Sequence, residues 1–286
     1  HKILAEVLNM ILLINCVISA LLVTLLMWLD RYEKENIVTL MKIFCFTIFA
    51  TSIYAIAVSW LITSFSFTNI VIIGPILEET WKFLIFLLVL YKFKNEVNES
   101  FDAIVYMGVI ALGFAFYENI SYYVIATWQS MMISTLTMDL SYYNASLYSI
   151  FLARLLPGHL LFDMIAISIY GIALQKGKKS LRFFFAWLIA IFLHAFWNFS
   201  VQLNFVFTVY SFLLITAAIF AVFKLLNISK FKPESEFGDE SIIPDKSIYD
   251  WSYYLLVFIF VIICGSLSLL ITYAFESILL SSALFQ

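Results

Sequence analysis

Glu78, Glu79 and Lys82 fall inside VIIGPILEETWKFLIFLLVL, an otherwise apolar run of about 20 residues, the length of helix that crosses a bilayer core of ~30 Å. Each ionisable group in such a helix costs roughly 2.5–3.5 kcal/mol to insert. A chain keeps three of them together only where they face a polar cavity or one another. Helical spacing puts Glu78 and Lys82 on one face, with Glu79 about 100° round. That predicts a Glu78–Lys82 ion pair and leaves Glu79 as the more basic carboxylate, suited to activating water. Further residues of the same kind follow in other apolar runs. Glu118 and Asn119 stand in ALGFAFYENISYY. His159 stands in RLLPGHLLFD, with Arg154 before it and Asp163 one turn after, and His194 and Asn198 stand in FLHAFWNFS. Acids, histidines and carboxamides together suit hydrolysis: a carboxylate takes a proton from water, and His or Asn donors hold the oxyanion that forms on an attacked carbonyl. The sequence contains no HExxH and no GxSxG, and no Ser, Cys or Thr nucleophile in a recognisable setting.

The surrounding chain belongs in lipid. Hydrophobic residues make up 64% and charged residues 12%, and mean hydropathy is +1.00, which excludes an ordinary soluble domain. A net charge of −3 is no basis for nucleic-acid binding. Cys16, Cys45 and Cys264 are scattered through apolar runs without metal-ligand spacing, so they read as core residues. The first apolar run is followed by DRYEKEN and shows no small-residue cleavage site, so a retained span is expected in place of a signal peptide.

Runs of spanning length occur at 3–29, 37–63, 70–91, 101–127, 147–174, 183–203, 205–227 and 249–273. The predicted fold is therefore all-α, a polytopic transmembrane bundle of about eight spans forming one integral membrane domain over residues 1–286. The sixth and seventh spans are divided by Gln202 and Asn204. Lys and Arg cluster after the first, third, fifth and seventh spans, and the connections near 64–69, 128–146 and 202–204 contain neither. The positive-inside rule then predicts extracytoplasmic termini and a cytoplasmic loop at 229–248. At ~1.5 Å per residue, the polar residues within 70–200 share the outer half of the bilayer.

Each residue also has a structural reading. Lys82 could serve only to neutralise Glu78, Asn119 and Asn198 could be interhelical hydrogen bonds, and Arg154 could snorkel to the interface or pair with Asp163. Three intramembrane glutamates and two histidines at one depth favour function over that reading. A transporter or proton pathway built on the same Glu/His set is the alternative from another class. It is disfavoured because no internal repeat is evident. A metal-dependent hydrolase is the other alternative, with zinc or a similar divalent ion on Glu79, Glu118, His159 and His194. Lys82, already beside the glutamates, counts against it, and no cofactor is expected.

The same residues resemble the PrsW-type intramembrane proteases, relatives of the CAAX-processing and abortive-infection membrane proteases. The matching pieces are DRYEKE, LEETWK for the family's EExxK, and FDAIVYMGVIALGFAFYENISY for its D-G-x-x-Y…GLGF-x-x-x-EN. They continue with RLLPGH and with LHAFWN for the final H-x-x-x-N. Ala103 stands where the family usually has Gly, and Lys34 where Pro is common. The resemblance implies functional positions at Glu78, Glu79, Lys82, Glu118, Asn119, His159, His194 and Asn198. It also implies a protease of the bacterial plasma membrane whose partner is a single-pass anti-sigma factor. Cleavage on the extracytoplasmic side would begin regulated proteolysis and sigma-factor release under envelope stress.

Overall fold

Apolar residues on every side suit a helix that is surrounded by other helices and by lipid, and helices account for nearly all of the described residues. The computed structural model describes residues 2–30, 34–61, 68–93, 96–137, 158–176, 179–201 and 204–229, with no strand among them. The helices are α1 (Lys2–Leu29), α2 (Ile37–Leu61), α3 (Gly74–Lys92), α4 (Asp102–Thr137), α5 (Gly158–Lys176), α6 (Lys179–Ser200) and α7 (Asn204–Ser229). Four of them contain stretches long and apolar enough to cross a membrane: Asn9–Leu29, Ile37–Val58, Asp102–Gln129 and Ser180–Ser200. α5 and α7 hold shorter apolar stretches, Gly158–Ile172 and Val209–Leu225. α3 has 19 residues but carries Glu78, Glu79 and Lys82 near its middle. Arg154, most of the expected 229–248 loop and the expected eighth span lie outside the described residues.

Several boundaries differ from the sequence reading. A π-helical turn, Asn69–Ile73, precedes α3, and Pro75 lies in the first turn of the helix proper, where its missing N–H costs nothing. α4 continues past the expected end at 127 to Thr137. The division between the sixth and seventh runs is present: α6 stops at Ser200 and α7 starts at Asn204.

Two compact units can be described separately. The first comprises residues 2–24 and 118–137 of the described chain. In it Asn119 Nδ2 donates to Asn15 Oδ1 at 3.0 Å, a carboxamide hydrogen bond between α1 and α4 of the kind that joins membrane helices.

The second unit comprises residues 25–117 and 156–246, less those outside the described residues. In it α5 packs on α6 and α7, and α3 packs on α6. Phe83, Phe86, Tyr170 and Phe183 interlock there, with ring centroids 5.3–6.2 Å apart. Two glycines fix close approaches. A Cβ at Gly113 would lie 3.0 Å from the Phe44 carbonyl oxygen and from Thr47 Cβ, so its absence lets the α2 backbone approach α4 closely at this point. A Cβ at Gly158 would lie 2.9 Å from the Trp197 ring, so the start of α5 seats directly on α6.

The connections at one end of this unit are held by acids. Asp102 Oδ2 accepts the backbone N–H groups of Asn98 at 2.8 Å and Glu99 at 2.6 Å. Asp30 Oδ2 accepts the Glu35 N–H at 3.3 Å. The Tyr106 hydroxyl meets Glu35 Oε2 and, at 3.0 Å, Glu96 Oε2. One hydroxyl proton cannot serve two carboxylates. Burial, then the nearby Asp102 charge, pushes Glu35 up to about 9, so at neutral pH Glu35 carries the second proton. Burial, then Asp102, likewise raises Asp30 to about 8.

Candidate active site

The second unit gathers Glu78, Glu79 and Lys82 from α3, His159 and Asp163 from α5, and His194 from α6 around one point. Lys82, fully buried, is the hub. Its Nζ lies 2.8 Å from Glu79 Oε2, 2.6 Å from Asp163 Oδ2 and 3.2 Å from His159 Nδ1. An ammonium has three N–H donors and no acceptor, and here each donor has a partner. The rings of Phe162 and Phe114 flank the cation at 4.9 and 5.5 Å, adding cation–π attraction in a dry setting.

This corrects the expected pairing. Lys82 binds Glu79, three residues before it, and not Glu78, four before it. Both spacings share a helix face. The rotation of α3 against α5 and α6 decides between them, because Asp163 holds the ammonium on the side where Glu79 lies.

Glu79 is fully buried and joins two groups. Its Oε2 takes Lys82, and its Oε1 lies 2.6 Å from His194 Nδ1. A carboxylate there makes Nδ1 the protonated nitrogen of a neutral His194 ring. Its Nε2 lies 3.7 Å from Glu78 Oε2. Glu78 retains 22% side-chain exposure, whereas Glu79 has none. The imidazoles of His159 and His194 meet edge to face at 4.8 Å, and Phe162 stacks on His194 at 4.8 Å. Phe114 and Phe162 each pack on His159 at 5.1 Å. Below the cluster, Trp187 Nε1 donates to Thr80 Oγ1 at 3.2 Å, tying α6 to α3.

The other sequence candidates stand as follows. Asn198 lies one helical turn beyond His194 on α6 and is half-buried. Glu118 and Asn119 belong to the first unit. Asp163, read from sequence as a companion of Arg154 or His159, is the partner of Lys82. Phe114 and Phe162 were not singled out, although Phe162 follows His159 by three residues, a spacing that returns to the same helix face.

A family profile for the PrsW family intramembrane metalloproteases matches residues 35–224, more than half of the chain. The chain belongs to the PrsW family. No curated protein and no solved structure matches it. Membership makes it a membrane-embedded peptidase acting on a membrane-protein substrate. Every site residue of the second unit named above falls within the matched segment.

The metal in the family's description can be tested against the donor atoms. Glu78, His159 and His194 offer ligand atoms within 4.8 Å of one another. His194 fits, because its Nδ1 is turned to a carboxylate, the usual arrangement of a metal-ligating imidazole. Glu78 fits as an oxygen donor. His159 does not: its Nδ1 faces the Lys82 ammonium, so it must accept there, and a neutral ring then carries its proton on Nε2. Of the expected metal set Glu79, Glu118, His159 and His194, the two histidines recur in this group, Glu79 is turned to Lys82 and His194, and Glu118 belongs to the first unit.

Proposed function

We propose that this PrsW-family protease hydrolyses its substrate with water activated by Glu78, without a metal. The observation that supports this best is the Glu79 bridge, which fixes His194 Nδ1 and leaves Nε2 opposite Glu78 Oε2 at 3.7 Å. A water between them would give one hydrogen to each acceptor and direct an oxygen lone pair outward. As that oxygen attacks the scissile carbonyl, its proton passes to Glu78. The carbonyl π pair moves to oxygen, where His159 Nε2–H and the Asn198 carboxamide would receive it. Glu78 then returns the proton to the amide nitrogen as the C–N bond breaks, yielding a carboxylic acid, which keeps the second water proton, and an amine. The mismatch at His159 argues against the metal-dependent version, and no step here needs the ion.

The substrate is proposed to be a single-pass anti-sigma factor cut on its extracytoplasmic side, at the outer end of its helix or in the flanking residues. A helical backbone is already hydrogen-bonded, and unwound backbone is tolerated only in a polar cavity or outside the hydrocarbon. This depends on the proposed eight spans with both termini outside, for which the uneven Lys/Arg distribution is the support. A single cysteine replacing Ser180 in a Cys-free chain should then resist an impermeant thiol reagent in intact cells, and one replacing Ser134 should react. Purified protein with candidate single-pass substrates, followed by mass spectrometry of both fragments, tests the cleavage. A cut in the cytoplasmic half of the substrate helix would overturn the proposed direction.

A further inference from the structure

Asp163 lies four residues after His159 on α5 and is fully buried. It faces the same Lys82 nitrogen that faces the His159 ring. The role proposed above for His159 needs a proton on Nε2, and a neutral imidazole carries only one. The ring must therefore be prevented from placing that proton on Nδ1. Lys82 does this only while one of its N–H bonds points at Nδ1. An ammonium on a four-carbon stem is otherwise free to swing toward Glu79 alone.

We infer that Asp163 is a positioning residue for the peptidase reaction: through Lys82 it holds His159 in the Nε2–H form. The inference rests on the role given to His159 in the preceding reading. The geometry supports it in three ways. Asp163 Oδ2 makes the shortest contact of the Lys82 nitrogen, at 2.6 Å. It approaches from α5, whereas Glu79 approaches from the lysine's own helix, so the two carboxylates fix Nζ from both sides. With both taken, the remaining N–H falls to His159 Nδ1 at 3.2 Å. The division of labour is then symmetrical. Glu79 puts the proton of His194 on Nδ1, and the Asp163–Lys82 pair puts that of His159 on Nε2. Adjacent rings thereby present one acceptor and one donor toward the reacting atoms. A single-tautomer pocket with two acceptors would bind the water but leave the oxyanion to Asn198 alone.

The chain has three histidines, one of them at position 1, so ¹⁵N-histidine NMR of the purified protein in lipid nanodiscs can assign both rings with His→Gln variants. The unaltered protein should show His159 protonated on Nε2 and His194 on Nδ1. Asp163→Asn should mix or reverse the His159 form, leave His194 unchanged, and lower turnover by roughly 10²-fold, as misplacement of a positioned group does. Asp163→Glu should restore the His159 signal and part of the turnover. A His159 protonated on Nδ1 in the unaltered protein would overturn the inference, and that measurement stands even if Asp163→Asn does not fold. An Asp163→Asn protein that keeps the His159 signal would overturn it too. An unchanged His159 signal in Asp163→Asn overturns the inference alone and leaves the proposed hydrolysis standing, whereas Nδ1 protonation in the unaltered protein also takes the oxyanion donor from that hydrolysis.

Discussion

Glu79 and His194 share a fully enclosed hydrogen bond, Oε1 to Nδ1, at 2.6 Å. It converts two adjacent glutamates on α3 into groups of different kinds. Glu79 is spent on His194 and Lys82, and Glu78 is the partly exposed carboxylate 3.7 Å from His194 Nε2.

That difference predicts how the two substitutions will diverge. Glu78→Gln removes the proposed base at a partly exposed position and leaves the Glu79–Lys82–Asp163 ion pairs in place, so turnover should fall ~10²–10⁴-fold with little change in thermal stability. Glu79→Gln takes one carboxylate from a buried ammonium. Loss of a buried ion-pair partner costs about 3–5 kcal/mol, so the protein should lose both turnover and melting temperature. Near-normal cleavage by Glu78→Gln alongside a stable, inactive Glu79→Gln would return the base to Glu79, as the spacing alone suggested.

Metal removal separates the two hydrolytic mechanisms. Prolonged dialysis against a strong chelator should leave turnover unchanged, and elemental analysis of the active protein should find well under one zinc per chain. Activity that disappears with chelator and returns on titrating zinc would refute the metal-free reading. His159 would then have to give its Nε2 lone pair in spite of Lys82.

Gly158 tests the seat of α5. A side chain at Gly158 must displace Trp197, whose ring would lie 2.9 Å from the new Cβ. Overpacking of this kind costs ~1–3 kcal/mol, and it falls on the residue next to His159. Gly158→Val should therefore lose activity beyond its loss of stability, and Trp197→Leu in the same chain should recover part of both. Full activity for Gly158→Val would mean that the helix start can shift without moving His159.

The acids between α1 and α2 predict a dependence on pH. Asp30 and Glu35 ordinarily titrate at 3.8 and 4.5 but are raised to about 8 and about 9 in the folded protein, by burial first and the Asp102 charge second. The unfolded chain releases these protons at lower pH than the folded one, so folding stability falls as pH rises from about 4 and levels off above about 9. Lys34 moderates the rise at Asp30, and Glu96, Glu99 and Asp102 are the other acids acting on this pair. Melting temperature in detergent should drop steadily between pH 6 and pH 9. Glu35→Gln, which resembles the protonated form, should flatten part of that drop. An equal slope in both proteins would place the proton elsewhere.

Much of this protein could be read from its residues in order. Insertion cost alone marks Glu78, Glu79 and Lys82 as a place where lipid is excluded, and the polar break at Gln202 and Asn204 marks the boundary of α6 and α7. The motifs LEETWK, PGH and LHAFWN carry the resemblance to the family, and all three lie within the segment its profile matches. Spacing could not say which glutamate meets Lys82, since i+3 and i+4 both return to one face, and a small rotation of α3 exchanges them. Nor could it find Asp163 as the lysine's partner at a separation of 81 residues, or tell that His159 turns its Nδ1 to Lys82 and His194 its Nδ1 to Glu79. Those assignments depend on how α3, α5 and α6 turn toward one another. Packing around Gly158 and the Phe162 ring sets that, through contacts among residues far apart in the chain.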